Sequence, residues 1–183
     1  MPEATDTSLI RRKYYDVFGA SVVPAFGSYL SRENAGHAGA ILGYRRAGSE
    51  RLFLETYLDR PVEEEVASAF GRSFARDAIV EIGNFAADNA MAMIELWGAA
   101  ANDLAGGNEV AVATLTSPLR RIFARIGIPV AVLAPASPVR LGEASHAWGR
   151  YYDTDPRVCA GIIADGQAAI AAFIGRRMRR AAA

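Results

Sequence analysis

Glu81 has the strongest claim to chemistry in this sequence, because its carboxylate lies in the middle of an apolar run. The run reads AIVEIGNFAAD over residues 78–88, and Val80 and Ile82 flank the acid. Such a run is typical of a strand buried on both faces. Burial disfavours a charged carboxylate and raises its pKa towards the range in which a general base works near neutral pH. We therefore predict that Glu81 is catalytic and takes a proton from an attacking amine.

A second interpretation gives Glu81 a purely structural role. The chain has 20 basic residues, and a buried carboxylate often forms an ion pair with an arginine. The residues after Glu81 favour the functional interpretation. Gly83 has no side chain, so a ligand can approach its backbone closely, and Asn84 offers both a donor and an acceptor. We predict that Gly83 and Asn84 contact a cofactor-like ligand arm and that Asn84 and Phe85 bind substrate.

Further polar residues stand in the segment ETYLD, within a predicted strand over residues 51–59. In a strand, Glu55, Tyr57 and Asp59 would share one face. That face could bind an amine acceptor, and Glu55 and Tyr57 are our substrate-binding candidates there. The alternative is a solvated hairpin face, since antiparallel sheets often expose one side to water.

Four more candidates lie in the second half of the chain. Thr116 stands between a predicted strand and a helix, where it could contact a ligand or cap the helix. Arg120 lies in the first turn of that helix, where the helix dipole disfavours a cation and an anionic partner is therefore expected. Trp148 and Tyr151 belong to an aromatic cluster that could line a substrate pocket or simply form core.

We expect no metal site and no cysteine catalysis. The chain has one cysteine and two histidines, and His37 and His146 are far apart in sequence. Zinc sites and Cys/His dyads need closer clusters of such residues. Cys159 lies in an apolar run and is expected to be a small buried side chain.

The last predicted helix ends in the basic sequence RRMRR, residues 176–180. Cations at the end of a helix complement its dipole. The same arginines could instead make a weak contact with an anionic membrane or dock an acidic carrier protein.

The spacing of apolar residues and of turn residues predicts a mixed sheet with flanking helices. The runs at 39–46 and 51–59 predict an antiparallel hairpin, and the helix-linked strands from 78 to 135 predict parallel pairing. The predicted strands are 39–46, 51–59, 78–86, 109–115, 128–135 and 158–164. The predicted helices cover 10–18, 61–71, 88–106, 116–127 and 166–180. We expect one α+β domain over residues 1–183, with the first eight residues flexible.

The composition of the chain limits the kinds of molecule that the protein is expected to bind and where it is expected to be found. The 183 residues include 20 basic and 20 acidic side chains, and a nucleic-acid-binding domain usually carries a basic excess. The N-terminal sequence has no apolar core of a signal peptide, and no apolar run approaches the length of roughly 20 residues that spans a bilayer. We expect a cytoplasmic protein that does not bind nucleic acid.

The order of these elements resembles the GNAT acyltransferase superfamily and the related acyl-homoserine-lactone synthases. The segments ILGYRRA, LFLETYLDRPVE, IVEIGNFAA, LTSPLRRIFARIGI and WGRYYDTDPRVCAGII resemble, in the same order, the thermostable hemolysin (T-hemolysin) family. The resemblance covers roughly residues 14–164. It implies a GNAT-like α+β fold with α/β/α-like layers, in which the strands matching 78–86 and 109–115 splay apart and admit an acyl thioester.

The resemblance also implies a reaction. An acyl group would pass from an acyl carrier protein or acyl-CoA thioester to the amine of a small amino-acid-like acceptor, with no tightly bound cofactor. The segment AADNAMAM lacks the glycines and basic residue that cradle a CoA pyrophosphate. Either the donor is an acyl carrier protein, which we expect as the partner, or the thioester site is degenerate. Acyl-homoserine-lactone synthases carry an arginine three residues after the comparable acid, where this chain has Asn84. The alternative function is a non-catalytic membrane-active, hemolysin-type protein or an acyl-binding module.

Overall fold

The computed structural model describes residues 5–34 and 37–182, without the side chains of residues 34, 37 and 38. Residues 1–4, half of the N-terminal segment that was predicted to be flexible, and the His37 side chain therefore lie outside the described residues. Within that part of the chain, six strands form one sheet in the order β1-β2-β3-β4-β6-β5. The strands are β1 (Ser28–Asn34), β2 (His37–Arg46), β3 (Ile79–Ala87), β4 (Val110–Leu115), β5 (Ala131–Pro135) and β6 (Arg157–Ile162).

Helices cover both faces of this sheet. They are α1 (Ser8–Phe18), α2 (Val62–Phe70), α3 (Ala90–Leu104), α4 (Ser117–Ile126) and α5 (Ile163–Ala181). The helices α3, α4 and α5 pack on one face, over Val80 and Ile82 of β3. The other face carries α1 and α2, with Ile79 of β3 in the core beneath α2. The sheet and its two helical layers confirm the predicted α+β, GNAT-like fold.

Parallel pairing is confined to β3 and β4, and the other neighbouring strands are antiparallel. The strand β5 follows β4 in the chain, yet β6 lies between them and pairs with both. The mixed sheet is therefore confirmed, whereas the expectation that parallel pairing extends to residue 135 is wrong. A helical crossover allows parallel neighbours but does not require the two strands to be adjacent.

The predicted hairpin is wrong in its second strand. The residues from Phe53 to Tyr57 form a short 3-10 helix. The carboxylate of Glu55 accepts the N–H groups of Leu52 and Val62 and so curls the chain. A strand over 51–59 would instead pair the N–H of Leu52 with a neighbouring strand. Because these residues form a helix, Glu55 and Tyr57 do not lie on one strand face as predicted.

The other strand of the hairpin that contains β2 is β1, which was not predicted from the sequence. Its sequence, SYLSREN, contains a single aliphatic residue, so it lacks the apolar alternation that predicts a strand. It pairs with β2 as an edge strand, from Ser28 opposite Tyr44 to Asn34 opposite His37.

The helix boundaries follow from local chemistry. Gly127 ends α4 with φ of 93°, a left-handed conformation that glycine adopts without strain. Asn89 caps α3, and its side-chain oxygen accepts the N–H of Ala92. The helix predicted from residue 88 therefore begins at Ala90.

Candidate active site

A gap opens in the sheet between β3 and β4. The two strands pair at Ile79–Val110, Val80–Ala111 and Glu81–Val112 only. Beyond Glu81 both continue without pairing to each other, β3 as far as Ala87 and β4 as far as Leu115. The predicted divergence of these strands at their C-terminal ends is confirmed.

A β-bulge in β3 lies at the start of the gap. Gly83 pairs with Gly43 and Ala86 with Ile41, so three steps along β3 match two steps along β2. Within the bulge Asn84 has φ of 52°, a left-handed conformation that asparagine tolerates better than most residues. A bulge bends its strand and leaves backbone groups of the bulged residues without ladder partners.

On one face of the sheet the gap meets a cavity of about 210 Å³, called here the aromatic cavity. It lies between α1 and the C-terminal half of β3. Aromatic side chains dominate its wall, and a smaller polar set completes it. The aromatic residues are Tyr14, Phe18, Phe26, Phe53, Tyr57, Phe85, Trp148 and Tyr151, and the polar residues are Lys13, Glu81, Asn84, Thr114 and Thr116.

On the other face lies a second cavity of about 100 Å³, called here the apolar cavity. It is enclosed by α3, α4, α5 and the sheet. Large rings and small aliphatic side chains form its wall, including Trp97, Phe123, Ala100, Ala113, Gly161 and Ile170. Ile82 and Phe85 line both cavities. The gap between β3 and β4 therefore lies between the aromatic cavity and the apolar cavity.

Glu81 stands where the gap begins. Its side chain is only 4% exposed, and its oxygens accept the N–H groups of Phe53 at 2.8 Å and Leu54 at 3.0 Å. Burial outweighs these two bonds and the nearby Arg45 cation, and it raises the pKa of Glu81 to about 7. Glu81 is thus a carboxyl group that can gain or lose a proton near neutral pH, at the wall of the aromatic cavity.

Arg45 is the cationic neighbour of Glu81. Its Nε lies 3.3 Å from Oε2 of Glu81, yet within the described residues this Nε makes no hydrogen bond. The guanidinium also donates to the carbonyl of Ala25 at 3.0 Å and stacks over Phe26 at 4.4 Å from the ring centre. Arg45 therefore gives Glu81 electrostatic support without the paired hydrogen bonds of a full arginine–carboxylate bridge.

Gly83 plays a different part from the one expected of it. A Cβ atom at Gly83 would lie 2.7 Å from the Phe26 ring, and one at Gly43 would lie 2.6 Å from it. The absent side chains therefore make room for Phe26. A ring of the protein itself fills the space above Gly83 where a Cβ would point, and Gly83 still borders the aromatic cavity.

Glu55, predicted to bind substrate, belongs to neither cavity. Arg76 donates to both of its oxygens at 2.8 Å, and two backbone N–H groups bind it as well. This bidentate pair lowers the pKa of Glu55 to about 2. The carboxylate holds the 3-10 helix to the start of α2 and is not available to an acceptor.

Arg120 is also separate from both cavities. Its guanidinium donates to the carbonyl of Leu115 at 2.7 Å and to the Asp155 carboxylate at 2.7 Å. The anionic partner inferred from its position in the first turn is therefore an acid of this chain. Through these hydrogen bonds Arg120 connects the end of β4 to the loop before β6.

The remaining candidates come together at the aromatic cavity. Thr116 occupies the capping position of α4 without a capping bond, and it is buried at the cavity wall. Tyr57 shares a 2.7 Å hydrogen bond with Tyr152. Trp148 and Tyr151 pack against each other with ring centres 5.1 Å apart. Together with Glu81, Gly83, Asn84 and Phe85, these residues border one chamber, and their roles there stay predictions.

Several residues at or near the site were not predicted from the sequence. Arg45 stands in the quoted segment ILGYRRA, but its place beside Glu81 follows only from the β2–β3 register, in which the two are paired. Phe26 lies in an irregular segment with no periodic signal. The apolar stripe of α1 was recognised, and Tyr14 and Phe18 on that stripe also form the cavity wall.

The described part of the chain lacks two kinds of feature, a metal-binding cluster and a membrane-spanning helix. Residues 5–34 and 37–182 contain no group of three or more acidic, histidine or cysteine side chains placed to hold a metal ion. No helix among those residues is long and apolar enough to cross a membrane.

The family of the chain is established by sequence comparison. The model of the family described as thermostable hemolysin matches residues 3–167. The chain therefore belongs to the thermostable hemolysin family, as its motifs predicted. No curated protein matches the sequence.

Solved structures with a similar fold include several synthases. The acyl-homoserine-lactone synthase LasI superposes with a TM-score of 0.62 at 14% identity, over 92% of this chain and 90% of its own. BjaI, a CoA-dependent acyl-homoserine lactone synthase with SAM and isopentyl-CoA, gives 0.58 at 12% identity, over 92% and 77%. FeeM, an N-acyl amino acid synthase from uncultured soil microbes, gives 0.57 at 12%, over 87% and 90%. At these identities the likeness establishes the fold.

Proposed function

We propose that this member of the thermostable hemolysin family is an N-acyltransferase that uses an acyl thioester. It transfers the acyl group to the amine of a small amino-acid-like acceptor. One observation carries the proposal: the gap between β3 and β4 joins an apolar cavity to a cavity walled by Glu81, whose pKa is about 7. A thioester lying in the gap has an apolar chamber for its chain and a base beside its carbonyl.

The donor occupies the gap. Beyond Glu81 the edge of β3 that faces β4 is unpaired, and an amide-containing pantetheine arm can bond to such a strand edge as an added strand does. The acyl chain enters the apolar cavity past Ile82 and Phe85. Burial of the chain supplies binding energy in proportion to the apolar area removed from water.

The acceptor occupies the aromatic cavity with its amine towards Glu81. An ammonium group gives one proton to Glu81, and the resulting free amine attacks the thioester carbonyl carbon. The C–N bond forms, the C–S bond breaks, and the second proton leaves nitrogen for the departing sulfur. A base with a pKa near 7 suits this proton transfer at neutral pH. The aromatic rings complement an acceptor that has an apolar or flat body.

The names of the structural neighbours support this reaction class. They describe acyl-homoserine-lactone synthases and an N-acyl amino acid synthase, one of them CoA-dependent and bound to isopentyl-CoA. The donor is nevertheless proposed to be acyl carrier protein, because the residues between β3 and α3 contain no glycine and no basic residue for a pyrophosphate. Acyl thioester donors and a single free cysteine both fit a cytoplasmic setting.

The acidic carrier protein requires a basic docking face. Arg121 and Arg125 are exposed on α4, whose first turn follows the open end of β4, and the arginines at 176–180 are exposed on α5. We expect carrier binding to weaken as salt rises, because such charges are screened. Replacing Arg121 and Arg125 by glutamine should reduce that salt dependence.

A mass-spectrometric screen tests the proposal. Acyl-carrier-protein and acyl-CoA donors are each paired with a panel of amino acids and simple amines, and the expected product is an N-acylated acceptor. Binding of the acyl chain with no product from any pair would contradict the enzyme and favour an acyl-binding module. Leakage of dye from anionic vesicles without any transfer would favour the membrane-active alternative.

A further inference from the structure

Two cross-strand pairs lie side by side on one face of the sheet. Gly43 of β2 is opposite Gly83 of β3, and two residues further along β2 Arg45 is opposite Glu81. Residues two apart in a strand point to the same face of the sheet, so the glycine pair and the charged pair share a face. Because the glycines have no side chains, there is open space on the sheet directly beside Arg45 and Glu81.

The ring of Phe26 fills that space. A Cβ atom at either glycine would lie within 2.7 Å of the ring, and the guanidinium carbon of Arg45 lies 4.4 Å from the ring centre. Phe26 belongs to the irregular segment 19–27, and its N–H donates to the Tyr29 hydroxyl at 3.0 Å. A cation over the face of an aromatic ring is attracted to it, so Phe26 is placed to hold the guanidinium.

Arg45 is bound more closely to this segment than to Glu81. Its guanidinium donates a hydrogen bond to the carbonyl of Ala25 at 3.0 Å, whereas its Nε lies 3.3 Å from Oε2 of Glu81 and makes no hydrogen bond within the described residues. Opposed residues on neighbouring strands are close enough for a paired arginine–carboxylate bridge. Ala25 and Phe26 therefore compete with Glu81 for the same guanidinium.

We propose that Phe26 is a positioning residue for the base. Together with the carbonyl of Ala25, it engages the guanidinium of Arg45 and prevents a full arginine–carboxylate bridge to Glu81. Such a bridge favours the ionised form of a carboxyl group, so a released Arg45 would make Glu81 a weaker base. This role rests on the proposed function, in which Glu81 is the base.

Other titratable groups lie around Glu81 and Arg45. The strand β4, on the other side of Glu81, contributes no charged side chain. The groups from the remaining elements are Glu55 and Tyr57 of the 3-10 helix, Glu50 after β2, which is 3.5 Å from Arg45, and Lys13 of α1, which lines the aromatic cavity. A substitution at Phe26 leaves all of these in place, so a change at Glu81 that requires Arg45 identifies Arg45 as its route.

A double-mutant cycle tests this role. The titration midpoint of Glu81 is followed by ¹³C NMR, without substrate, in the wild type, Phe26→Leu, Arg45→Met and the double variant. Phe26→Leu should lower the midpoint by about one unit, because the freed guanidinium can then pair with the carboxylate. The same change should have no effect when residue 45 is methionine. An unchanged midpoint in Phe26→Leu overturns the inference, and so does an equal shift in both backgrounds, which would mean that the ring only excludes water.

Phe53→Leu is the matched control. Phe53 is another ring of the aromatic cavity, and it binds Glu81 through its backbone N–H, which the substitution keeps. Any shift that this variant causes should be the same with and without Arg45. If Phe26→Leu does not fold, Phe26→Met, which can fill more of the space through its flexible side chain, is measured by the same criteria.

A second measurement separates the positioning role from the proposed reaction. The Nε–H signal of Arg45 in a ¹H–¹⁵N spectrum is identified by its absence from Arg45→Met, and in Phe26→Leu it should move downfield as a hydrogen bond to Glu81 forms. That shift and the midpoint change, found in a protein that transfers no acyl group, would refute the reaction and keep the positioning role. Acyl transfer with neither effect would refute the positioning role and keep the reaction.

Discussion

Glu55 and Glu81 are two buried glutamates beside the same short helix, and they behave in opposite ways. Both carboxylates accept two backbone N–H groups from residues of that segment or its flanks. Yet the pKa of Glu55 falls to about 2, whereas that of Glu81 rises to about 7. Equal backbone bonding therefore does not decide the charge of a buried acid.

The difference comes from burial, which is the largest influence on the pKa of Glu81 but not on that of Glu55, and from the arginine that faces each carboxylate. Arg76 donates to both oxygens of Glu55 at 2.8 Å, and such bidentate charged bonds strongly favour the ionised form. Arg45 approaches Glu81 at 3.3 Å without a hydrogen bond and is shared with Ala25 and Phe26. Glu55 therefore stays ionised and has a structural role. Glu81 can gain or lose a proton near neutral pH, and a reaction can use that exchange.

The largest expected effect is the loss of catalysis in Glu81→Gln. The change removes the base while keeping nearly the same volume, so turnover should fall by about 10²–10⁴-fold. The melting temperature should stay close to that of the wild type, because the environment of Glu81 disfavours the charge that is lost. Turnover and a thermal melt measured on the same preparation check both parts. Full activity in the folded variant, or a large drop in melting temperature, would return Glu81 to a structural role.

The matched variant Glu55→Gln should show the opposite pattern. It removes the charge that satisfies Arg76, and breaking a buried ion pair costs about 3 kcal/mol or more. Chemical denaturation should record this loss in the free energy of unfolding. In the fraction that remains folded, kcat should change by less than about threefold, since Glu55 does not touch the cavity. A strong loss of kcat in Glu55→Gln without a loss of stability would contradict the contrast between a structural Glu55 and a catalytic Glu81.

The two acids should also shape the pH dependence of stability in different windows. Between about pH 4.5 and 7 the folded state binds more protons at Glu81 than the unfolded state, so stability should fall as pH rises, by on the order of 3 kcal/mol. Between about pH 2 and 4.5 the lowered pKa of Glu55 makes stability rise with pH. Urea denaturation across this range measures both slopes. Glu81→Gln should remove the first slope alone, and Glu55→Gln the second alone.

A smaller effect is expected from the arginine beside the base. Arg45→Met removes a cation that lowers the pKa of Glu81, so the midpoint of the rise in kcat with pH should move upwards by about one unit. Arg76→Met provides the control, and it should lower the melting temperature without moving that midpoint. A midpoint unchanged in Arg45→Met would mean that Arg45 does not tune the base.

The sequence was most informative where local chemistry decides structure. The buried strand with Glu81 and the end of α4 at Gly127 followed from residue types and spacing, whereas the divergence of β3 and β4 followed from the resemblance to GNAT-like folds. Prediction failed where one side chain redirected the chain. The apolar pattern of 51–59 suggested a strand, but the bonds of Glu55 to two N–H groups and to Arg76 made it a 3-10 helix. Those partners are up to 21 residues away, beyond the reach of any periodic pattern.

The site was predictable in part for the same reason. Residues on β3 itself were found because the strand carries unusual types in an apolar run. Arg45 and Phe26 were not, since their importance arises from the register of β1, β2 and β3 and from the close packing of a ring on Gly43 and Gly83. Because the second hairpin strand was predicted at 51–59 and β1 was missed, that register was not predicted.

Direct titration of Glu81 tests the central claim. The side-chain carboxyl carbons of ¹³C-labelled glutamates are followed by NMR from pH 3 to 9, and Glu81→Gln identifies the signal that disappears. A signal that titrates near pH 7 in the wild type, and is absent from the variant, is the predicted result. A Glu81 signal that titrates at or below the ordinary glutamate value of about 4.3 would mean that Arg45 locks it as Arg76 locks Glu55, and would contradict its role as a base.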